Sequence, residues 1–354
     1  MVVLAVPAAF LVGGCGKSQD RRLVTVPVAS SDADDESGFA AFATKNTTRI
    51  GGADALEDAA ASARAAFPGG SPAQRPPAAV LVNESAWQAG VAASVLASKP
   101  VHGAVLLSED DSLPDVSQRT LEELKPRGVK ELAGAQVIRV GSVDEPKGFK
   151  TADVTARGSD PYALAQSVDT LLQTATGGPS KSVIVASGEI AEYSLPVAGL
   201  AAKTGAPVLF TQRTTLPNPT INALRAHDKP SIYLVGPPQV ISEKVERQLG
   251  EYGKVTRIDR PSEPKCGRKV PDPACTAVGL ARFLDEDTGF GWGFVQPGQS
   301  FSFINPERQL DAAAAAPLSA GGKYAAQLLV NRNGSLPDPI SSYLEDVRPG
   351  YSGD

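Results

Sequence analysis

Ala206-Pro207-Val208-Leu209-Phe210-Thr211, then a polar loop, then Leu216-Pro217, is a pattern that this sequence writes three times. Gly103-Ala104-Val105-Leu106-Leu107-Ser108 leads to Leu113-Pro114 in the same way, and Ala326-Gln327-Leu328-Leu329-Val330-Asn331 leads to Leu336-Pro337. A helical pattern follows each Leu-Pro, over residues 118–124, 220–226 and 340–347. An Ala-rich helical segment precedes each apolar run, over 87–97, 193–203 and 310–320. Upstream again lies a further apolar strand, at 78–82, at 182–186 and, in the third copy, at 301–304. Short, continuously apolar strands alternating with helices imply parallel sheets buried on both faces. The expected fold class is α/β, with three tandem Rossmann-like modules built on parallel sheets.

The second copy runs on furthest. A strand at 231–235 is followed by Gly236-Pro237-Pro238, a helix at 240–249 and a last strand at 254–258. The first copy shortens this section and closes on Val137-Ile138-Arg139-Val140. The third stops at Asp354 before any such section. Either the chain is a fragment, or an earlier strand, for which residues 23–28 are the candidate, completes the last sheet.

With 354 residues the chain is too long for one small core and suits two or three domains. Apolar residues at 42% and charged residues at 21% describe an ordinary globular chain. The formal charge of -5 argues against a nucleic-acid partner, which calls for a basic stripe. A grip on an anionic glycan would need a local cluster of arginines.

Residues 2–12 are apolar and end in Leu11-Val12-Gly13-Gly14-Cys15. The run is too short to span a bilayer and reads as the apolar part of a signal peptide over 1–14. Small residues before a cysteine form a lipobox, so Cys15 is the expected lipidation site; a plain cleaved signal peptide is the alternative. A polar tether or linker follows over 15–44. Cys266 and Cys275 sit in a Pro-, Lys- and Gly-rich insertion. In an oxidising compartment such a pair most simply forms a disulfide, whereas a zinc site would lack two ligands. The two histidines, His102 and His227, lie far apart without ligand spacing, so no metal is expected.

Each copy opens alike. Arg49-Ile50-Gly51-Gly52-Ala53-Asp54 precedes a helix; Ile138-Arg139-Val140 is followed after an insertion by Gly158-Ser159-Asp160-Pro161-Tyr162; Thr256-Arg257-Ile258 is followed, after the cysteine-bearing insertion, by Asp272-Pro273. Asp54, Asp160 and Asp272 stand immediately before Ala-rich helices, where Asp caps orphan backbone N–H groups and a following proline costs nothing. The same helix starts could instead line a polymer-binding groove. Arg49, Arg139 and Arg257 could bridge modules as ion pairs or clamp a phosphate or carboxylate bidentately.

These openings resemble the cell wall-binding repeat type 2 family, whose module begins Arg-x-x-Gly-x-Asp-Arg-Tyr-x-Thr-Ala. Copy one keeps Arg49, Gly52, Asp54 and Ala59; copy two keeps Gly158, Asp160, Tyr162 and Ala165; copy three keeps Asp272, Thr276 and Ala277. The second copy is similar further along, through Val183-Ile184-Val185-Ala186-Ser187-Gly188 and Ile232-Tyr233-Leu234-Val235-Gly236. Departures include Ala55-Leu56 in place of the Arg-Tyr in copy one. The resemblance implies three modules in a pseudo-threefold arrangement. It also implies non-covalent attachment to cell-wall or envelope polymer, with Tyr162 among the polymer-binding residues. The expected partition is repeat module 1 over 45–138, module 2 over 139–256 and module 3 over 257–354.

No reactive centre is expected. Ser187-Gly188-Glu189 is not a nucleophile elbow. The loop 51–54 lacks both the dinucleotide fingerprint and a Walker lysine, so no cofactor is expected. The sequence thus suggests a non-enzymatic, lipid-anchored envelope protein outside the cytoplasm, facing the wall. An extracytoplasmic solute-binding protein or an envelope protein–protein scaffold are the alternatives.

Overall fold

The computed structural model describes residues 42–43, 47–69, 71–109, 112–156, 160–259, 265–266, 271–322 and 324–349. The signal peptide over 1–14, Cys15, the candidate strand at 23–28, Gly158 and all of the 15–44 tether except 42–43 lie outside the described residues.

Two short strands open the described chain, β1 (Phe42–Ala43) and β2 (Thr48–Arg49), paired antiparallel. Helix α1 (Ala55–Ala66) follows, then β3 (Ala79–Asn83), α2 (Trp87–Ala93), β4 (Ala104–Ser108), α3 (Asp115–Leu124), β5 (Val137–Val140) and β6 (Thr151–Val154). Strands β3 to β6 form one parallel sheet in the order β4-β3-β5-β6. Every residue of β3 and β4 is buried, as helices on both faces require.

The second unit repeats the plan. Helix α4 (Pro161–Thr176) leads to β7 (Ser182–Ser187), the short α5 (Ala191–Ser194), α6 (Val197–Thr204), β8 (Val208–Thr211), α7 (Asn218–Ala226), β9 (Ser231–Val235), α8 (Glu243–Leu249) and β10 (Lys254–Ile258). Its sheet reads β8-β7-β9-β10, all parallel, the same order as the first. The third unit has α9 (Pro273–Arg282), a hairpin of β11 (Leu284–Asp285) and β12 (Phe290–Gly291), β13 (Phe301–Ile304), α10 (Asp311–Ala320), β14 (Ala326–Leu329) and α11 (Asp338–Val347). Among the described residues β13 pairs with β14 alone, in parallel. The hairpin is clamped from the second unit: Tyr233 of β9 stacks on Phe290 with ring centres 3.6 Å apart, and its hydroxyl donates to Asp285 at 2.7 Å.

The three units meet through their Ala-rich helices. Ala97, Ala202 and Ala316, one from each unit, form a small apolar cluster of their own. Small side chains let the helices approach closely, because interaxial distance is set by what stands at the contact. Gly199 of α6 is part of this approach; a Cβ there would lie 2.8 Å from Ser319 Oγ and 3.0 Å from Gln327 Cγ of the third unit. The fold is therefore α/β, with parallel sheets in three repeated units around a shared helical centre. It is not two large lobes about one cleft.

Two expectations need correction. The first unit does not close on Val137–Val140. That strand is β5, the counterpart of β9, because each pairs with the central strand of its sheet. The closing strand is β6, which has only four residues and carries Thr151 and Asp153 on one face, so it lacks the continuous apolar run that marks the other strands. A module boundary at 138/139 therefore falls inside β5, and one at 256/257 falls inside β10.

Candidate functional site

The residues singled out in the sequence cluster at the corners between units. In each corner a last strand ends and the next helix begins. Asp54 accepts from Glu57 N at 2.9 Å, Asp160 from Tyr162 N at 3.1 Å and Asp272 from Ala274 N at 2.8 Å. All three are N-caps, and Pro161 and Pro273 take the first helical position, where a missing N–H is no loss.

The arginines are not equivalent to one another. Arg139 lies on β5 and grips Asp153 of β6 with two parallel bonds, Nε to Oδ1 at 2.7 Å and Nη2 to Oδ2 at 2.8 Å; Nη1 donates to the Val143 carbonyl at 3.0 Å. The bond to Asp153, against the cost of burial, raises the guanidinium pKa. Arg257 lies on β10 and donates to Glu246 from Nε at 3.1 Å and Nη2 at 2.8 Å, and to the Gly236 carbonyl at 2.7 Å. Both pairs hold one unit together. Neither bridges two units; each guanidinium is engaged as a tie within its own unit. At the position of Arg257, the first unit carries Asp153. Arg49 alone of the three is exposed and without an ion pair among the described residues; it borders the free edge of β13.

A well-formed groove opens at the corner between the first and second units. Its volume is about 520 Å³, and Asn83, Ser85, Gln88, Ser142 and Thr155 supply its polar lining, with Pro161 and Leu164 at the wall. Asn83, Gly141 and Thr155 stand at or just past the carboxyl ends of β3, β5 and β6, where open α/β sheets bind ligands. Asn83 is fixed by its neighbours: Oδ1 accepts from Ser85 N at 2.8 Å and from Ser85 Oγ at 2.5 Å. Gln88 Nε2 donates across the corner to the Gly188 carbonyl at 3.2 Å. Tyr162 closes the same corner on Gly188, where a Cβ would come within 2.8 Å of the ring. Burial first, and then the charge of Glu189, raise the Tyr162 pKa, so its phenol stays neutral. The groove lining carries hydroxyl and amide groups and no charged side chain, a set suited to the hydroxyls and amides of a glycan.

Of the seven residues proposed to hold polymer, only Asp160 and Tyr162 flank this groove. Arg49 and Asp54 stand at a second corner and Asp272 at a third. Asn83, Gln88, Ser142 and Thr155 were not singled out in the sequence. Asn83 had a usable signal, since it is the polar residue that ends an apolar strand.

Other reactive groups are occupied. Ser187 Oγ accepts from Glu189 N and Ile190 N, both at 3.1 Å. His227 is buried, with ring nitrogens 2.9 Å from the Ser180 carbonyl and 2.8 Å from Asp169 Oδ2. His102 Nδ1 lies 3.2 Å from the Ala97 carbonyl. Cys266 and Cys275 are joined by a disulfide. Among the described residues no group of three or more His, Cys, Asp or Glu side chains could hold a metal, and no helix is long and apolar enough to cross a membrane.

Comparison with known proteins fits this geometry. Residues 156–246 match the family described as Cell wall binding domain 2 (CWB2). The amidase enhancer of Bacillus subtilis is 25% identical over 215 residues, covering 60% of this chain and 27% of that protein. N-acetylmuramoyl-L-alanine amidase LytC of Bacillus subtilis is 24% identical over 220 residues, covering 62% of this chain and 42% of that protein. Among solved structures, Cwp6 from Clostridium difficile superposes with a TM-score of 0.64 at 17% identity, over 84% of this chain and 42% of that one. Cwp8 from Clostridium difficile gives 0.62 at 21% identity, over 84% and 47%. The two structures share the fold. The chain spans less than half the length of each of these four relatives.

Proposed function

We propose that this chain, whose second unit matches the Cell wall binding domain 2 family, is a non-enzymatic protein of the cell envelope that holds wall polymer without a covalent bond. The reading rests chiefly on the groove at the carboxyl ends of β3, β5 and β6, which is lined by uncharged donors and acceptors beside Tyr162. Such a lining suits a polyhydroxylated chain and offers no nucleophile with a free base. One relative is named an amidase and another an amidase enhancer. A segment common to both fits a part that binds the wall rather than one that cuts it.

The location follows from the same reading: outside the cytoplasm, with the lipobox ending at Cys15 supplying a membrane anchor and the three units facing the wall. A lipid at one end and wall polymer at the other would link the two layers.

Co-sedimentation with purified cell walls tests the reading. The wild-type chain should pellet with walls, and the double variant Ser142→Trp/Thr155→Trp should remain in the supernatant with an unchanged circular dichroism spectrum. Both positions are exposed, so the indoles fill the groove and not the core. Retention of the double variant would remove the groove from the proposal. A wild-type chain that never pellets would end wall binding and leave a scaffold role.

A further inference from the structure

Among the described residues the third sheet is short by one strand at a defined place. In the first two sheets the central strand has neighbours on both edges: β3 lies between β4 and β5, and β7 between β8 and β9. Their counterpart β13 has β14 on one edge only, among the described residues. Phe303 registers the gap. Counted from the strand ends, where Asn83, Ser187 and Asn305 each accept from the amide two residues on, it occupies the position of Leu81 in β3 and Val185 in β7. Those two are fully buried, whereas Phe303 is 43% exposed.

The far side of the gap is already built. A last strand, β6 or β10, leads into a helix capped by Asp160 or Asp272. Thr48–Arg49 and Ile50 lead likewise into α1, capped by Asp54. These residues face Phe301, Ser302, Phe303 and Ile304 across a groove of about 290 Å³. The order β14-β13-gap-β2 thus reproduces β8-β7-β9-β10 with β9 missing.

We infer that residues 23–28, Leu23-Val24-Thr25-Val26-Pro27-Val28, fill this gap as a parallel strand between β13 and β2, so that the amino-terminal segment closes the third sheet. The run is β-branched and apolar, as a central parallel strand requires. Its spacing fits: Leu23 precedes Thr48 by as many residues as Ser231 of β9 precedes Thr256 of β10. Copying the β7–β9 register sets Leu23 opposite Ser300, Val24 opposite Phe301, Thr25 opposite Ser302 and Val26 opposite Phe303. Pro27 then falls where Val235 stands, at the last position of the strand, so that only the final ladder bond to the central strand goes unmade. Strand β1 keeps the other edge of β2.

Hydrogen–deuterium exchange on the full chain tests this, alongside a Val24→Asp/Val26→Asp variant. In the wild type the amides of residues 301–304 that face away from β14 should exchange as slowly as those of Ala79–Asn83, and residues 23–26 should be protected with them. In the variant both segments should exchange faster by about 100-fold or more, while Ala79–Asn83 stays slow. Fast exchange at 23–26 in the wild type overturns the inference. So does protection of 301–304 that survives the two aspartates, or that grows with protein concentration, since the strand would then come from elsewhere or from a second copy.

Discussion

His227 Nε2 lies 2.8 Å from Asp169 Oδ2 in the core of the second unit, with the two side chains 0% and 1% exposed. Nδ1 faces the Ser180 carbonyl, so the ring ties α4, the loop before β7 and the end of α7 into one piece. Burial opposes a charged imidazole here, but the bond and charge of Asp169, together with the Ser180 carbonyl, outweigh it and raise the pKa.

A raised histidine pKa fixes the sign of a pH dependence. The native state binds its proton more tightly than the unfolded chain. The extra stability is fully present below the unfolded value near 6.5 and is lost as pH rises through the native value. Urea midpoints should therefore fall between pH 6.5 and the alkaline side, and His227→Gln should flatten that slope. His227→Leu leaves the buried Asp169 carboxylate without its charge partner, held among the described residues only by Gln173 Nε2 at 3.1 Å, and should cost about 3–5 kcal/mol, more than the double change His227→Leu/Asp169→Leu.

Asp311 behaves in the opposite way to a capping carboxylate. Burial drives its pKa up to about 6 despite Arg308 nearby, and its Oδ1 has no hydrogen-bond partner among the described residues. The native state again holds the proton more tightly, so this group favours folding at low pH and loses that advantage as pH climbs from 3.8 through 6. Asp311→Asn should raise stability at pH 7.5 by about 1–3 kcal/mol and change it little at pH 4. Thermal melts at the two pH values decide this.

Crowding at the helical centre predicts a size-sensitive site. Gly199→Leu should cost about 1–3 kcal/mol, because the side chain must displace Ser319 or Gln327 of the third unit. Gly178→Ala, with nothing within 4 Å of the added carbon, is the control and should be silent.

The internal arginine ties should affect stability and leave binding alone. Arg257→Gln loses three bonds at a largely buried guanidinium and should cost about 1–3 kcal/mol. Arg139→Gln, paired with a half-exposed Asp153, should cost about 1 kcal/mol or less. Wall retention measured below the melting temperature should be unchanged in both. A fall in retention would restore these residues to the polymer-binding surface.

The strands, most helices and the three caps were legible in the sequence because each depends on local pattern. Val183 to Ala186 is apolar without a break, and Asp-Pro before an Ala-rich run has few other uses. The failures came where partners are distant in sequence. Arg139 and Arg257 look alike along the chain, since both follow an isoleucine or threonine in a short strand. Only the sheet order shows that one sits on a third strand and the other on a fourth. The groove was illegible for the same reason, because Asn83, Ser142 and Thr155 converge only once β3, β5 and β6 are side by side.

The meeting of Ala97, Ala202 and Ala316 has a consequence for how such a protein can change. A solenoid lengthens by adding a repeat to its free end. Here the contact point is already shared three ways, and a fourth helix would find no room. Loss of one unit would strip cover from the other two. Divergence must then proceed within the trio, by altering its corners one at a time, while the number of units stays fixed.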